Sequence, residues 1–214
     1  MNTIKEIRRI DAPAPKPQAL ACGDNCLWMG SLATQKIYQL DPQSLQILWQ
    51  TDAPGYPFSI AVVGEELRVI CGETDEDNRN IRRCLPGKGF DTQFGIQCPD
   101  DTGSQLGYDG ANLHVSQWYN QRVLKLGSEG EVEKSYPIPH GIAGQVIVDG
   151  CIYLVTTDDE ETNDYYLTRI DPTGPEPKVE DLAKIPFPAR SLSHDGQNFW
   201  TNHRAANQTI CFTL

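Results

Sequence analysis

Five times along this chain a short strand-like run ends in a glycine turn, and a second run follows at once. The first runs are Ala19–Gly23, Ile60–Gly64, Leu106–Gly110, Val146–Gly150 and Leu192–Gly196; the second begin at Leu27, Leu67, Leu113, Ile152 and Phe199. In three of the five the turn is Asp-Gly, a strong hairpin signal because its backbone must reach positive φ. A third run carries Ile37, Ile81, Val123, Leu167 and Ile210, at successive separations of 44, 42, 44 and 43 residues. A fourth run ends in proline, as in Thr51-Asp52-Ala53-Pro54 and Ile185-Pro186-Phe187-Pro188.

Four strands at such a period describe one blade of a β-propeller. The chain stops after the third strand of its fifth unit. The missing strand is at the other end, where Ile7-Arg8-Arg9-Ile10-Asp11-Ala12-Pro13 repeats the Asp-Ala-Pro ending of unit one. The expectation is a single all-β domain over residues 1–214. It is a five-bladed β-propeller with four-stranded blades, and the N-terminal strand closes the last blade. The blades fall near 18–54, 58–98, 104–139, 144–188 and 190–214 plus 4–13. Closure removes the open sheet edge that would invite aggregation.

The formal net charge of −11 argues against a phosphate backbone or an anionic membrane surface as partner. It favours a cationic small molecule or a hard metal ion. No apolar run reaches the roughly 18 to 20 residues that span a bilayer. Met1–Ile10 alternates apolar and charged residues with no signal-like apolar stretch, so a cytoplasmic protein is expected. The chain has seven cysteines. Cys22 and Cys26 flank a turn, but no second pair completes a zinc site. Structural, reduced thiols are the expectation for that compartment.

In a propeller, the loops joining strand two to strand three, and one blade to the next, share one face. Function concentrates on such loops over a rigid scaffold. Counted back from the glycine turns, Gln18, Ser59, Gln105, Gln145 and Ser191 are equivalent and should ring the channel mouth. Tyr56, Phe58, Trp118 and Tyr119 would add aromatic walls to a small-molecule pocket. His140 and His203 are the candidate acid–base groups, with Arg190 or Arg204 stabilising a developing oxyanion. Two acidic loops are rich in oxygen donors suited to Mg²⁺ or Ca²⁺: Glu73 with Asp75, Glu76 and Asp77, and Asp158–Glu161 with Asp164. Glu73 and Asp101 are the candidate groups for orienting a metal or a base.

Pro139-His140-Gly141-Ile142-Ala143, with Val148-Asp149-Gly150 and Ile152-Tyr153-Leu154, resembles the repeats of virginiamycin B lyases and NHL-type propellers. Leu192-Ser193-His194-Asp195-Gly196 with Phe199-Trp200-Thr201 is similar. The resemblance covers most of the chain at repeat level. It implies a propeller-mouth Mg²⁺ site with histidine and glutamate that opens a cyclic ester by elimination; of these residues only His140 matches a recognisable motif here, the Pro-His-Gly-Ile of the repeat. A lyase or hydrolase acting at the mouth is one functional reading. The other is a non-catalytic propeller that binds a ligand or a protein there.

Overall fold

The computed structural model describes every residue except Asp24, Asp75, Glu76, Asp77 and Pro175. The chain opens with β1 (Asn2–Thr3) and β2 (Lys5–Asp11). Blade one is β3 (Pro17–Gly23), β4 (Cys26–Ser31), β5 (Lys36–Leu40) and β6 (Ile47–Asp52). Blade two is β7 (Tyr56–Val63), β8 (Glu66–Gly72), β9 (Arg79–Leu85) and β10 (Gly89–Gln97). Blade three is β11 (Gln105–Tyr108), β12 (Leu113–Gln117), β13 (Arg122–Leu126) and β14 (Val132–Pro137). Blade four is β15 (Gly141–Val148), β16 (Cys151–Thr157), β17 (Tyr165–Asp171) and β18 (Lys178–Ile185). Blade five is β19 (Ala189–His194), β20 (Phe199–His203) and β21 (Gln208–Thr213), with β2 as its outer strand.

The closure is antiparallel, with Arg9 opposite Ile210 and Asp11 opposite Gln208. One feature goes beyond the repeat. β1 adds a short parallel strand to the outer edge of blade four, pairing Asn2 with Ala183 and Thr3 with Lys184. Ile4, buried between the two blades, anchors the crossing. The N-terminus therefore straps blade four to blade five as well as completing the latter.

The third-strand positions are equivalent in the structure. Ile37, Ile81, Val123, Leu167 and Ile210 pair with Gly30, Ile70, Ser116, Val155 and Thr201. All five are fully buried at 0% exposure, so the repeat is read out in three dimensions as one layer of the core. The first hairpins differ in kind. Asp149 and Gly150 both have positive φ and form a two-residue turn, as the strand twist requires. Asp109 and Asp195 instead open four-residue loops. Each caps two backbone N–H groups with one carboxylate oxygen; the other oxygen accepts from His114 Nε2 at 2.9 Å or Trp200 Nε1 at 2.7 Å. Among the described residues no helix is long and apolar enough to cross a membrane.

Candidate functional site at the channel mouth

Four of the five inner strands carry a β-bulge near their start, at Gln18, Phe58, Ala143 and the Ser191-Leu192 pair. A bulge inserts an unpaired residue and re-aims side chains. Gln18, Phe58, Ala143 and Arg190 consequently project into one cavity of about 1090 Å³ at that end of the channel. Loops from all five blades complete its wall. They bring Lys16, Leu32, Tyr56, Arg79, Thr102, Ser104, Gln105, Trp118, Tyr119, Glu160, Arg204 and Asn207. Of the sequence-derived candidates, Gln18, Tyr56, Phe58, Gln105, Trp118, Tyr119, Arg190 and Arg204 meet here.

The polar ring is not level. Ala19, Ser59, Gln105 and Gly144 lie opposite the equivalent second-strand residues Gly30, Ile70, Ser116 and Val155. Gln18 is thus one residue nearer the mouth and Gln145 one residue deeper. The offset arises because the glycines hold different places in their hairpins: Gly23 is the last residue of β3, Gly64 directly follows β7, and Gly150 is the second residue after β15. The deeper polar groups are blade clamps. Ser59 Oγ accepts from Leu106 N–H at 2.9 Å, and Gln145 Nε2 donates to His114 O at 3.0 Å. Ser191, at φ +60°, keeps its hydroxyl on its own Arg190 carbonyl, and Asn202 Nδ2 donates to it at 3.3 Å. Inner strands have no neighbouring strand on the channel side, so side chains satisfy backbone groups that would otherwise be buried unpaired.

The histidines lie elsewhere. His140 Nδ1 is 2.7 Å from Asp158 and its Nε2 3.7 Å from Asp181, against the outer strands of blade four. The two carboxylates attract the ring away from the channel. Gly141 has ordinary extended geometry. It is required because a Cβ there would stand 2.7 Å from the Trp118 ring. His203 stacks on Phe187 with ring centroids 5.2 Å apart, and burial followed by nearby Arg9 lowers its pKa.

Among the described residues the carboxylates of the acidic loops do not gather as ligands. Glu73 is exposed, Asp101 accepts from Gln97, and Asp75, Glu76 and Asp77 lie outside the described residues. In the second loop Asp158 faces His140, Asp164 faces Lys184, and Asp159 caps Glu161 N–H. Only Glu160 turns to the cavity. Among the described residues no three His, Cys, Asp or Glu side chains converge as a metal site.

The charged centre of the cavity is Arg190, Arg204 and Glu160. Arg190 is 6% exposed. It donates to Tyr165 OH at 2.7 Å and to Glu160 Oε2 at 2.9 Å. Burial raises the Tyr165 pKa despite that Arg190 contact, so the phenol stays protonated. Arg204 donates to Gln18 Oε1 at 2.6 Å and has no carboxylate partner among the described residues. Opposite them, the Arg79 guanidinium lies 3.3 Å from the Phe58 ring centroid and donates to Gly103 O. The Trp118 backbone N–H donates to Ser104 Oγ at 2.9 Å, while Tyr119 is 84% exposed at the rim. Glu160 was the residue least visible in sequence, one carboxylate in an acidic run with nothing local to separate it from its neighbours.

No protein-family model matches the chain, and no curated protein matches it in sequence. Solved structures do. Myxococcus xanthus glutaminyl cyclase superposes with a TM-score of 0.75 at 13% identity, covering 99% of this chain and 96% of that one. The PQQ-bound aldose sugar dehydrogenase of Streptomyces coelicolor gives 0.62 at 12% identity over 98% and 97%. Staphylococcus aureus virginiamycin B lyase gives 0.53 at 15% identity over 96% of this chain and 68% of its own. The repeat-level likeness to virginiamycin B lyase therefore holds in three dimensions, and at these identities the likenesses establish the propeller fold.

Proposed function

We propose that this chain is a small-molecule-binding propeller whose ligand occupies the mouth of the central channel. The carrying observation is the cavity itself. Its volume, about 1090 Å³, matches the upper range of small-ligand sites, and it combines aromatic walls with a few fixed polar anchors as such sites do. Trp118, Tyr56 and Phe58 offer apolar surface; Gln18, Gln105, Arg190 and Arg204 offer directed donors and acceptors. A metabolite screen by thermal shift, followed by calorimetry, tests this. Hits should bind wild type and lose affinity in Trp118→Ala. Hits unaffected by Trp118→Ala and by Arg204→Gln would place the ligand elsewhere.

A second reading, a lyase or hydrolase at the same mouth, is favoured by one contact. Glu160 stands beside two guanidinium groups. A carboxylate there can accept a substrate proton while Arg204 stabilises developing negative charge. In that reading Glu160→Gln lowers turnover by about 10²-fold or more and leaves binding nearly intact. Turnover that survives Glu160→Gln would remove it.

A further inference from the structure

The chain carries a net charge of −11, yet its mouth is basic. Lys16, Arg79, Arg190 and Arg204 line the cavity; among the described lining residues Glu160 is the one carboxylate. Resting on the binding reading above, we infer that the ligand presents a carboxylate to Arg204 and Arg190, with its apolar body against Trp118.

Local geometry outranks net charge because exposed charges are screened beyond about 10 Å, whereas partly buried ones at contact are not. Arg190 is already shared between Glu160 and Tyr165. Arg204 uses Nη1 on a neutral amide. Its remaining N–H donors have no protein acceptor among the described residues, and a planar fork of donors suits an oxyanion. Burial and then Arg190 push the Arg204 pKa below its usual range, with Glu160 and Tyr165 opposing. The guanidinium is therefore incompletely compensated in the protein alone.

The charge count selects among anions. The five charged lining residues sum to three positive charges, of which the contiguous Arg190, Arg204 and Glu160 group carries one. A monoanion neutralises that group, whereas a phosphate dianion would leave excess negative charge beside Glu160. A ligand ammonium group would face two guanidiniums. Gln18, whose carbonyl accepts from Arg204, points its donor in a fixed direction, and Trp118, backed by Gly141 and tied to Ser104, provides a flat wall. The ligand class is a small organic carboxylate with an aromatic or aliphatic body.

Four matched probes test this by calorimetry: 3-phenylpropionate, 3-phenylpropionamide, phenyl phosphate and phenethylammonium. The carboxylate should bind wild type about tenfold or more tighter than the amide. Phenyl phosphate should be weaker than the carboxylate, and phenethylammonium weakest. Arg204→Gln should erase the carboxylate-over-amide preference, lowering carboxylate affinity far more than amide affinity. Arg204→Lys should retain part of it, which excludes a simple folding defect. Trp118→Ala should weaken carboxylate and amide alike. Equal, Trp118-dependent binding of carboxylate and amide would overturn the carboxylate inference and leave the pocket reading standing. Tighter binding of phosphate or ammonium would overturn it too. Failure of every probe at millimolar concentration would count against the pocket and the inference together.

Discussion

The two ends of the central channel are built from the same five strands and differ in almost everything else. The mouth is a cavity of about 1090 Å³ with four basic side chains, a carboxylate and four aromatic rings. The opposite end holds about 170 Å³, lined by Leu20, Cys22, Ile60, Leu106, Tyr108, Ile147 and Leu192 with Gln145, Ser193 and His194, and among the described residues no Lys, Arg, Asp or Glu lines it. Hairpin turns explain the contrast. At the narrow end the connections are turns of two or four residues whose chemistry is consumed by their own backbone. Asp109 and Asp195 spend both carboxylate oxygens on the turn and the adjoining strand. At the mouth, bulges and loops of unequal length release side chains that the scaffold does not need.

The largest expected effect falls on what both ends share. Deleting residues 1–11 removes β1 and β2 and leaves β21 as a bare edge beside a broken strap to blade four. The loss should approach the whole stability of a domain, on the order of 5 kcal/mol or more. It would be read as insolubility or as disappearance of the cooperative thermal transition. A truncated protein melting like the full chain would show that closure is not what holds the ring.

Next come the narrow-end turns. Asp109→Asn leaves the His114 Nε2–H facing an amide and should cost roughly 1–3 kcal/mol, with mouth binding unchanged. The pH dependence has a defined sign. Burial raises the Asp109 pKa, but the Asn112, His114 and Ala111 contacts overcome this and carry it down to about 2, against 3.8 ordinarily. Its contribution is therefore full above pH about 4 and fades as pH falls toward 2. Burial also lowers the His114 pKa despite the Asp109 contact. At neutral pH the pair is then a hydrogen bond to a neutral imidazole; an ion pair forms only in acid. Urea unfolding of wild type and Asp109→Asn should show a constant difference near neutrality that shrinks below pH 4. A difference that stayed flat to pH 3 would assign the effect to packing alone.

A smaller effect tests the mouth from behind. The new methyl of Gly141→Ala meets the Trp118 ring at 2.7 Å, and overpacking of this kind costs about 1–3 kcal/mol. The indole must tilt into the cavity. Ligand affinity should fall about tenfold, more than the thermal midpoint suggests, and indole fluorescence should shift. Unaltered affinity would mean Trp118 is not a wall of the site.

The smallest effect concerns the thiols. Among the described residues no disulfide forms, and burial pushes Cys22, Cys71, Cys84 and Cys98 up to about 12. A thiolate is needed for reaction, so these four should resist a disulfide reagent in the native protein and react on unfolding. Rapid native labelling of Cys22 would mean the narrow end opens.

The fold was legible because the five third-strand residues obey a period that packing enforces; each fills the same fully buried position. The site was legible in part. Trp118, Arg190 and Arg204 follow from chain position, since those connections lie at the mouth end of the blades. Equivalence counted from the glycines failed for Gln145, because Gly150 is the second residue of its turn where Gly64 is the first, so the same count back lands one residue deeper. His140 and His203 sit at the correct end of their blades, but strand alternation and nearby carboxylate or aromatic partners turn them outward. The parallel strand β1 has no periodic signal, being two residues long and held through Ile4.

The central claim is that the mouth holds a ligand. An X-ray structure of the protein crystallised with the tightest compound from the screen tests it most directly. The account predicts density against the Trp118 ring, within hydrogen-bonding distance of Arg204 and Gln18. Density in the narrow end or on the outer strands, with the mouth empty, would contradict it.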